Sequence, residues 1–161
     1  MGDEHLVASW LGPTARRVKL HEVLLRAPPP RAYRAVLDLP LADLPLTRAL
    51  FVLRGIPHQR DMTVRELFTA PPFRLLEEQE PVEIVFEIAR RQFRAVANFR
   101  FDPQGSGVRV QTATWVETWS WPAGVVFAAY WLLVGPFSGL IRRELLRAAQ
   151  RRAGQGTQGA R

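Results

Sequence analysis

Near Pro122 the apolar residues stop recurring at every second position and begin recurring at helical spacing, and this one change limits the folds open to the chain. Before it, Val82, Ile84, Phe86 and Ile88 alternate with Glu83, Val85 and Glu87. Phe93, Ala95, Ala97, Phe99 and Phe101 then alternate with Arg94, Val96, Asn98 and Arg100. A third run sets Val108, Val110, Thr112, Thr114 and Val116 against Arg109, Gln111, Ala113, Trp115 and Glu117. Successive side chains of a strand point to opposite faces, so each run predicts a half-buried strand. Asp102 to Gly107 reads as a hairpin loop, and short connections make neighbouring strands antiparallel. Residues 82–118 are therefore expected to form a three-strand meander with Phe86, Phe99 and Thr114 on one face.

From Pro122 to about Arg152, Phe127, Tyr130, Trp131, Val134, Ser138, Ile141 and Leu145 form a single helical stripe. Upstream, residues 1–13 predict a short helical extension with Leu6, Val7, Trp10 and Leu11 on one side, stopped by Gly12-Pro13. Val18 to Arg26 reads as a strand. Pro28-Pro29-Pro30 cannot continue a ladder but can open a helix, and Tyr33, Val36 and Leu37 follow at helical spacing. Asp43 to Arg54 predicts a second helix with Leu46, Leu50 and Leu53 as its apolar face, closed by Gly55. Thr63, with Glu66 three residues on, predicts a capping box for one more turn. These elements fit an α+β domain over 14–152, and the Gly/Gln-rich stretch 153–161 is expected to be a disordered tail.

Composition excludes several classes. The chain has 161 residues, 47% of them hydrophobic and 23% charged, which suits a core-forming globular protein. With no cysteine there is neither a disulfide framework nor a cysteine zinc site, a usage that fits a cytoplasmic location. Asp3 and Glu4 take the place of the basic start of a secretory signal. The net charge of +7 invites a nucleic-acid reading. Six arginines between 142 and 161 face only Glu144, so five of those seven charges sit on a helix end and tail, where cations suit the helix dipole. No basic run interleaves with aromatic residues for stacking on bases. Nucleic acid is therefore not the expected partner.

The catalytic vocabulary is sparse. His5, His21 and His58 match no metal-ligand spacing; His21 faces inward if Val23 and Leu25 do. Glu83 and Glu87 lie about 13 Å apart along a strand, too far for a retaining carboxylate pair, and a solvated face accounts for them. Gly105-Ser106-Gly107 lacks the lysine of a phosphate loop. There is no GxSxG nucleophile elbow. No motif asks for a cofactor or a metal. The uncharged run 118–141 is long enough for a bilayer. It holds Pro122, Gly124, Gly135, Pro136 and Gly139, and the arginines after it would force the preceding domain across the membrane without a signal. Burial against the sheet is the better account.

The order of elements resembles the START-like superfamily, also called polyketide cyclase/dehydrase-like or SRPBCC. Tyr130-Trp131, Pro136 and Ser138-Gly139-Leu140-Ile141-Arg142-Arg143 are similar to the C-terminal signature of an uncharacterised bacterial branch. Arg26-Ala27-Pro28-Pro29 and the stretch from Leu50-Phe51 to Arg54-Gly55 are similar to its N-terminal half, so the likeness spans roughly 18–152. Two departures stand out. Thr112-Ala113-Thr114-Trp115 replaces a Thr-Glu-Thr-Arg pattern, and Val125, Val126, Ala128 and Ala129 stand where relatives carry arginines. Any role of that acidic-basic pair does not carry over.

The resemblance implies a helix-grip fold, a curved antiparallel sheet around a long C-terminal helix, with an apolar cavity between them. Members hold lipids, hormones, polyketides or other apolar molecules there. The expected ligand-binding residues are Phe86, Ala97, Phe99, Thr112 and Thr114 on the sheet, and Phe127, Tyr130, Trp131, Val134 and Ser138 on the helix. The expected partner is a hydrophobic small molecule, with no catalytic constellation beside it. Two other readings stay open. One is an interaction module with a filled core that forms a homodimer through Val85, Val96 and Trp115 on the outer sheet face, since exposed apolar patches mark partners. The other is a peripheral membrane protein whose final helix meets the lipid surface.

Overall fold

The computed structural model describes residues 6–53, 55, 58–91, 93–119, 125, 128 and 139–154. Its strands are β1 (Arg16–Leu25), β2 (Arg74–Gln79), β3 (Glu83–Ala89), β4 (Phe93–Gln104) and β5 (Gly107–Thr118). They form one antiparallel sheet in the order β1-β5-β4-β3-β2. The helices α1 (Pro29–Leu37), α2 (Pro45–Leu53) and α3 (Val64–Thr69) fall between β1 and β2. Residues 139–154 are helical and are called α4; Val125 and Ala128 are helical as well. The architecture is α+β, a curved five-stranded sheet holding helices against one face.

The meander follows the alternation that predicts it. Phe86 pairs with Ala97 and Ala97 with Thr114, while Ile84 pairs with Phe99 and Phe99 with Thr112. Phe86, Phe99 and Thr114 therefore share the inner face. Strands β4 and β5 run further than the sequence suggests and leave a two-residue turn at Gly105-Ser106, where Gly105 takes φ +57°. Pro103 can sit in β4 because β3 ends its pairing at Arg100, which leaves the proline's nitrogen with no ladder partner to miss.

β2 has no counterpart in the sequence reading. Arg74, Glu77, Glu78 and Gln79 are poor strand formers, and a bulge between Leu75 and Glu77 breaks the alternation. α1 opens on Pro29 as the proline run predicts. α3 carries the predicted capping box: Glu66 donates its backbone N–H to Thr63 Oγ1, and Thr63 donates its own to Glu66 Oε2 at 2.7 Å.

α2 forms where expected but turns a different face inward. Thr47, Leu50 and Phe51 are buried, whereas Leu46 is 40% and Leu53 is 75% exposed. The cause lies on α4. Glu144 accepts the backbone N–H of Leu46 (2.9 Å) and of Thr47 (2.7 Å), and the Thr47 hydroxyl donates to it at 2.6 Å. That carboxylate caps α2 and sets its rotation.

The main core joins the inner sheet face to the helices, with Tyr33, Leu37, Leu41, Phe99, Phe101, Val110, Leu145 and Ala149 among its buried members. Leu145 and Ile141 face it as the stripe predicts, and Ala153 packs there too. A second, smaller core lies on the outer face. Val7, from the short 3-10 helix Leu6–Trp10, packs against Val85 and Val96 with Leu11, Leu76 and Trp115 around them. The apolar patch expected to be open is thus covered by the chain's own N-terminal residues.

Glu83 and Glu87 are not solvated either. Glu83 is buried, accepting from Leu6 N (2.8 Å) and from Asn98 Nδ2 (2.6 Å). Glu87 is held by Arg74 and by Arg94 Nε at 2.5 Å. Burial alone would raise its carboxyl, but these guanidiniums hold it below the ordinary carboxylate value.

Candidate functional site

Alternation brings the five expected sheet residues, Phe86, Ala97, Phe99, Thr112 and Thr114, to one face. They divide into two environments. Phe86 and Phe99 join an aromatic cluster: Phe68 of α3 stacks on Phe86 at 4.0 Å between ring centroids, Phe99 lies 5.9 Å from Phe86, and Phe73 meets Phe68 edge-on at 5.1 Å. One flank of this cluster is less completely covered. Phe68, Phe73, Leu75, Ile88 and Ala95 are only partly covered, while the opposite end, around Leu25, Phe101 and Val108, is fully packed. The expected helix residues Phe127, Tyr130, Trp131, Val134 and Ser138 lie outside the described residues.

Thr112 and Thr114 belong to a polar group that the sequence reading did not assemble. In register, Thr114 stands opposite Lys19 and Thr112 opposite His21, so β1 contributes two basic side chains to the inner face. Arg142 of α4 donates from Nη2 to the Thr114 hydroxyl, and from Nη1 to the Thr112 carbonyl at 3.4 Å. The Thr112 hydroxyl and His21 Nε2 are buried atoms with no hydrogen-bond partner.

Arg142 retains some accessible surface, yet protein encloses it deeply enough that burial pushes its guanidinium down to about 10. Burial, and then the positive charges of Arg142, Lys19 and Arg143, lower the His21 imidazole below its ordinary value. Sequence alone groups Arg142 with the solvated basic tail; its inward turn could have been suspected from its place one residue beyond Ile141 on the buried stripe.

A second polar group on the inner side is internally satisfied. Buried Tyr33 donates to Glu78, which Arg65 also holds, and the Arg65 guanidinium lies 5.5 Å from the Tyr33 ring centre. Burial and the adjacent carboxylate raise the Tyr33 phenol. Among the described residues no group of three or more His, Asp or Glu side chains could hold a metal ion. None of their helices is long and apolar enough to cross a membrane. A cleft of about 270 Å³ opens on the outer face between Val7, Leu11, Arg17, Asn98, Gln111 and Trp115. It falls short of the ~300–1,000 Å³ usual for ligand pockets.

No protein-family model matches the chain, and no curated protein matches it. Solved structures similar to it include Mll3558 from Rhizobium loti, 15% identical over 86% of this chain and 98% of that one, with a TM-score of 0.47. An uncharacterised protein from Rhizobium leguminosarum is 13% identical over 88% and 97% of the two chains, TM-score 0.47. CalU16 from Micromonospora echinospora is 14% identical over 88% and 94%, TM-score 0.35.

Proposed function

We propose that this chain binds a hydrophobic small molecule in the space between the inner sheet face and the C-terminal helix, as a member of the START-like superfamily. One observation carries the reading: the partial cover over Phe68, Phe73, Leu75, Ile88 and Ala95, in a sheet whose other end is closely packed. Apolar surface left uncovered inside a fold is unfavourable in proportion to its area, so a site of this kind gains from an apolar occupant. Ligand sites characteristically combine such a lining with a few placed polar groups, here Thr112 and Thr114. The resemblance in the Ser138 to Arg143 motif supports the same assignment.

The neutral dye N-phenyl-1-naphthylamine tests it. Folded protein should bind the dye with saturable fluorescence, and Ala97→Trp should abolish the signal while leaving thermal unfolding cooperative. Ala97 lies between Phe86 and Thr114 in register, so an indole there occupies the proposed space. A wild-type protein that never takes up the dye would overturn the reading and favour the filled-core interaction module.

A further inference from the structure

We infer that the molecule bound here carries an oxyanion, held by Lys19, His21 and Arg142 with the hydroxyls of Thr112 and Thr114; this rests on the pocket proposed above. Three elements converge to make the group. Lys19 and His21 come from β1, the threonines from β5, and Arg142 from α4. A methyl group placed on Gly139 would sit 3.8 Å from both His21 Nε2 and Lys19 Nζ, so α4 lies over these basic groups at Gly139.

A guanidinium has five N–H donors, and Arg142 uses two of its nitrogens, on a hydroxyl and a carbonyl. Both acceptors are neutral. Among the described residues no carboxylate forms an ion pair with Lys19, His21, Arg142 or Arg143. Glu78, a carboxylate on the inner side, is already held by Tyr33 and Arg65. Glu144 caps α2.

Enclosing a guanidinium without a counter-charge is unfavourable, and arginine cannot escape by losing its proton near neutral pH. The unpartnered Thr112 hydroxyl and His21 Nε2 add unused hydrogen-bonding capacity at the same place. An oxyanion supplies what all of them lack: negative charge and several acceptor lone pairs, in charge-assisted hydrogen bonds. The apolar body of such a ligand would lie along the partly covered phenylalanines and its head on the basic group.

The test compares two dyes with one ring system. 8-Anilinonaphthalene-1-sulfonate carries a sulfonate; N-phenyl-1-naphthylamine is its uncharged, more apolar counterpart. Wild-type protein should bind the sulfonate at least about tenfold tighter, the effect of one charge-assisted hydrogen bond. Lys19→Met and Arg142→Met should each weaken the sulfonate about three- to tenfold and leave the neutral dye within about twofold. Lys19 lies half-buried on an edge strand, so that variant stands even if Arg142→Met fails to unfold cooperatively. Equal affinity for the two dyes, or a preference that Lys19→Met leaves undiminished, overturns the inference while the pocket stands. Binding of neither dye overturns both.

Discussion

Shortening Val7 to alanine tests whether the N-terminal residues are a fixed part of the sheet. Val7 is 2% exposed, and the residues beneath it, Val85 and Val96, are 0% and 1% exposed. Val7→Ala removes two buried methyl groups. At ~0.8 kcal/mol per buried carbon, transfer alone accounts for about 1.6 kcal/mol. Space that the backbone cannot close adds to this, since backbone bonds hold the segment at both ends: Leu6 N to Glu83, and Gly12 N to Glu117 at 2.6 Å. The expected loss is about 2–3 kcal/mol. In a domain of this size that lowers the melting temperature by about 5–10 °C, readable by circular dichroism. Ala8→Ser, one residue on and exposed, should stay within about 0.5 kcal/mol of wild type. If Val7→Ala also melts within about one degree of wild type, the segment is not seated on the sheet. Val85 and Val96 would then be open, and the homodimer through Val85, Val96 and Trp115 would regain its premise.

Glu144→Ala should destabilise by about 2–3 kcal/mol, because it removes the acceptor of three hydrogen bonds at the start of α2, with Glu144→Gln losing roughly half; urea midpoints at constant m-value measure it. Glu87, held below the ordinary carboxylate value in the folded chain, stabilises above pH 4.5 and stops doing so as pH falls through its lowered value. Melting temperature should therefore hold from pH 7 to 5 and drop below 4.5, with Glu87→Gln showing a lower plateau and a shallower acid limb. His21 is lowered by burial and then by Arg142, Lys19 and Arg143, so it is neutral at pH 7 in the free protein, and a bound anion offsets those cations and favours the imidazolium. Affinity for 8-anilinonaphthalene-1-sulfonate should rise as pH falls from 8 to 5, with proton uptake seen calorimetrically and the slope lost in His21→Gln; a flat profile in wild type refutes the coupling.

What the sequence made legible was local. The meander was readable because one face of each strand is lined mainly by apolar residues while the other carries most of the charges, so alternation survives from Val82 to Glu117 even though both faces are largely buried. The capping box at Thr63 was readable because both its bonds close within three residues. What escaped depends on partners far along the chain. Glu83 and Glu87 look like a solvated face until Leu6, 77 residues earlier, closes over Glu83. Thr47 looks like a surface residue beside Leu46 until Glu144, 97 residues later, accepts its N–H and hydroxyl. β2 escaped for another reason: an edge strand with a bulge needs neither alternation nor β-branched residues. At the candidate site, inward-facing Thr112 and Thr114 followed from period two, but Arg142 did not. Its one local mark is its place beside Ile141 at the edge of the buried stripe, and the arginines that follow it in the tail mask that mark.

The two faces of the sheet handle charge in opposite ways, and the contrast locates the unfinished part of the molecule. On the outer face each buried carboxylate is answered from within the chain. Glu83 takes Leu6 N and Asn98, Glu87 takes Arg74 and Arg94, and Glu117 takes Gly12 N. Those partners arise from the N-terminal segment and from neighbouring strands, so that face is complete when the chain has folded. On the inner face Arg142, Lys19 and His21 meet two threonines and, among the described residues, no carboxylate. Because side chains alternate, the sheet needs no extra machinery to keep the two sets apart; a one-residue slip of β3 would carry Glu83 and Glu87 to the inner side, the side that the cations occupy. The observed register keeps them away. A fold that spends its buried acids on its own backbone and arginines leaves the positive charge of Arg142 and Lys19 for the inferred oxyanion to meet.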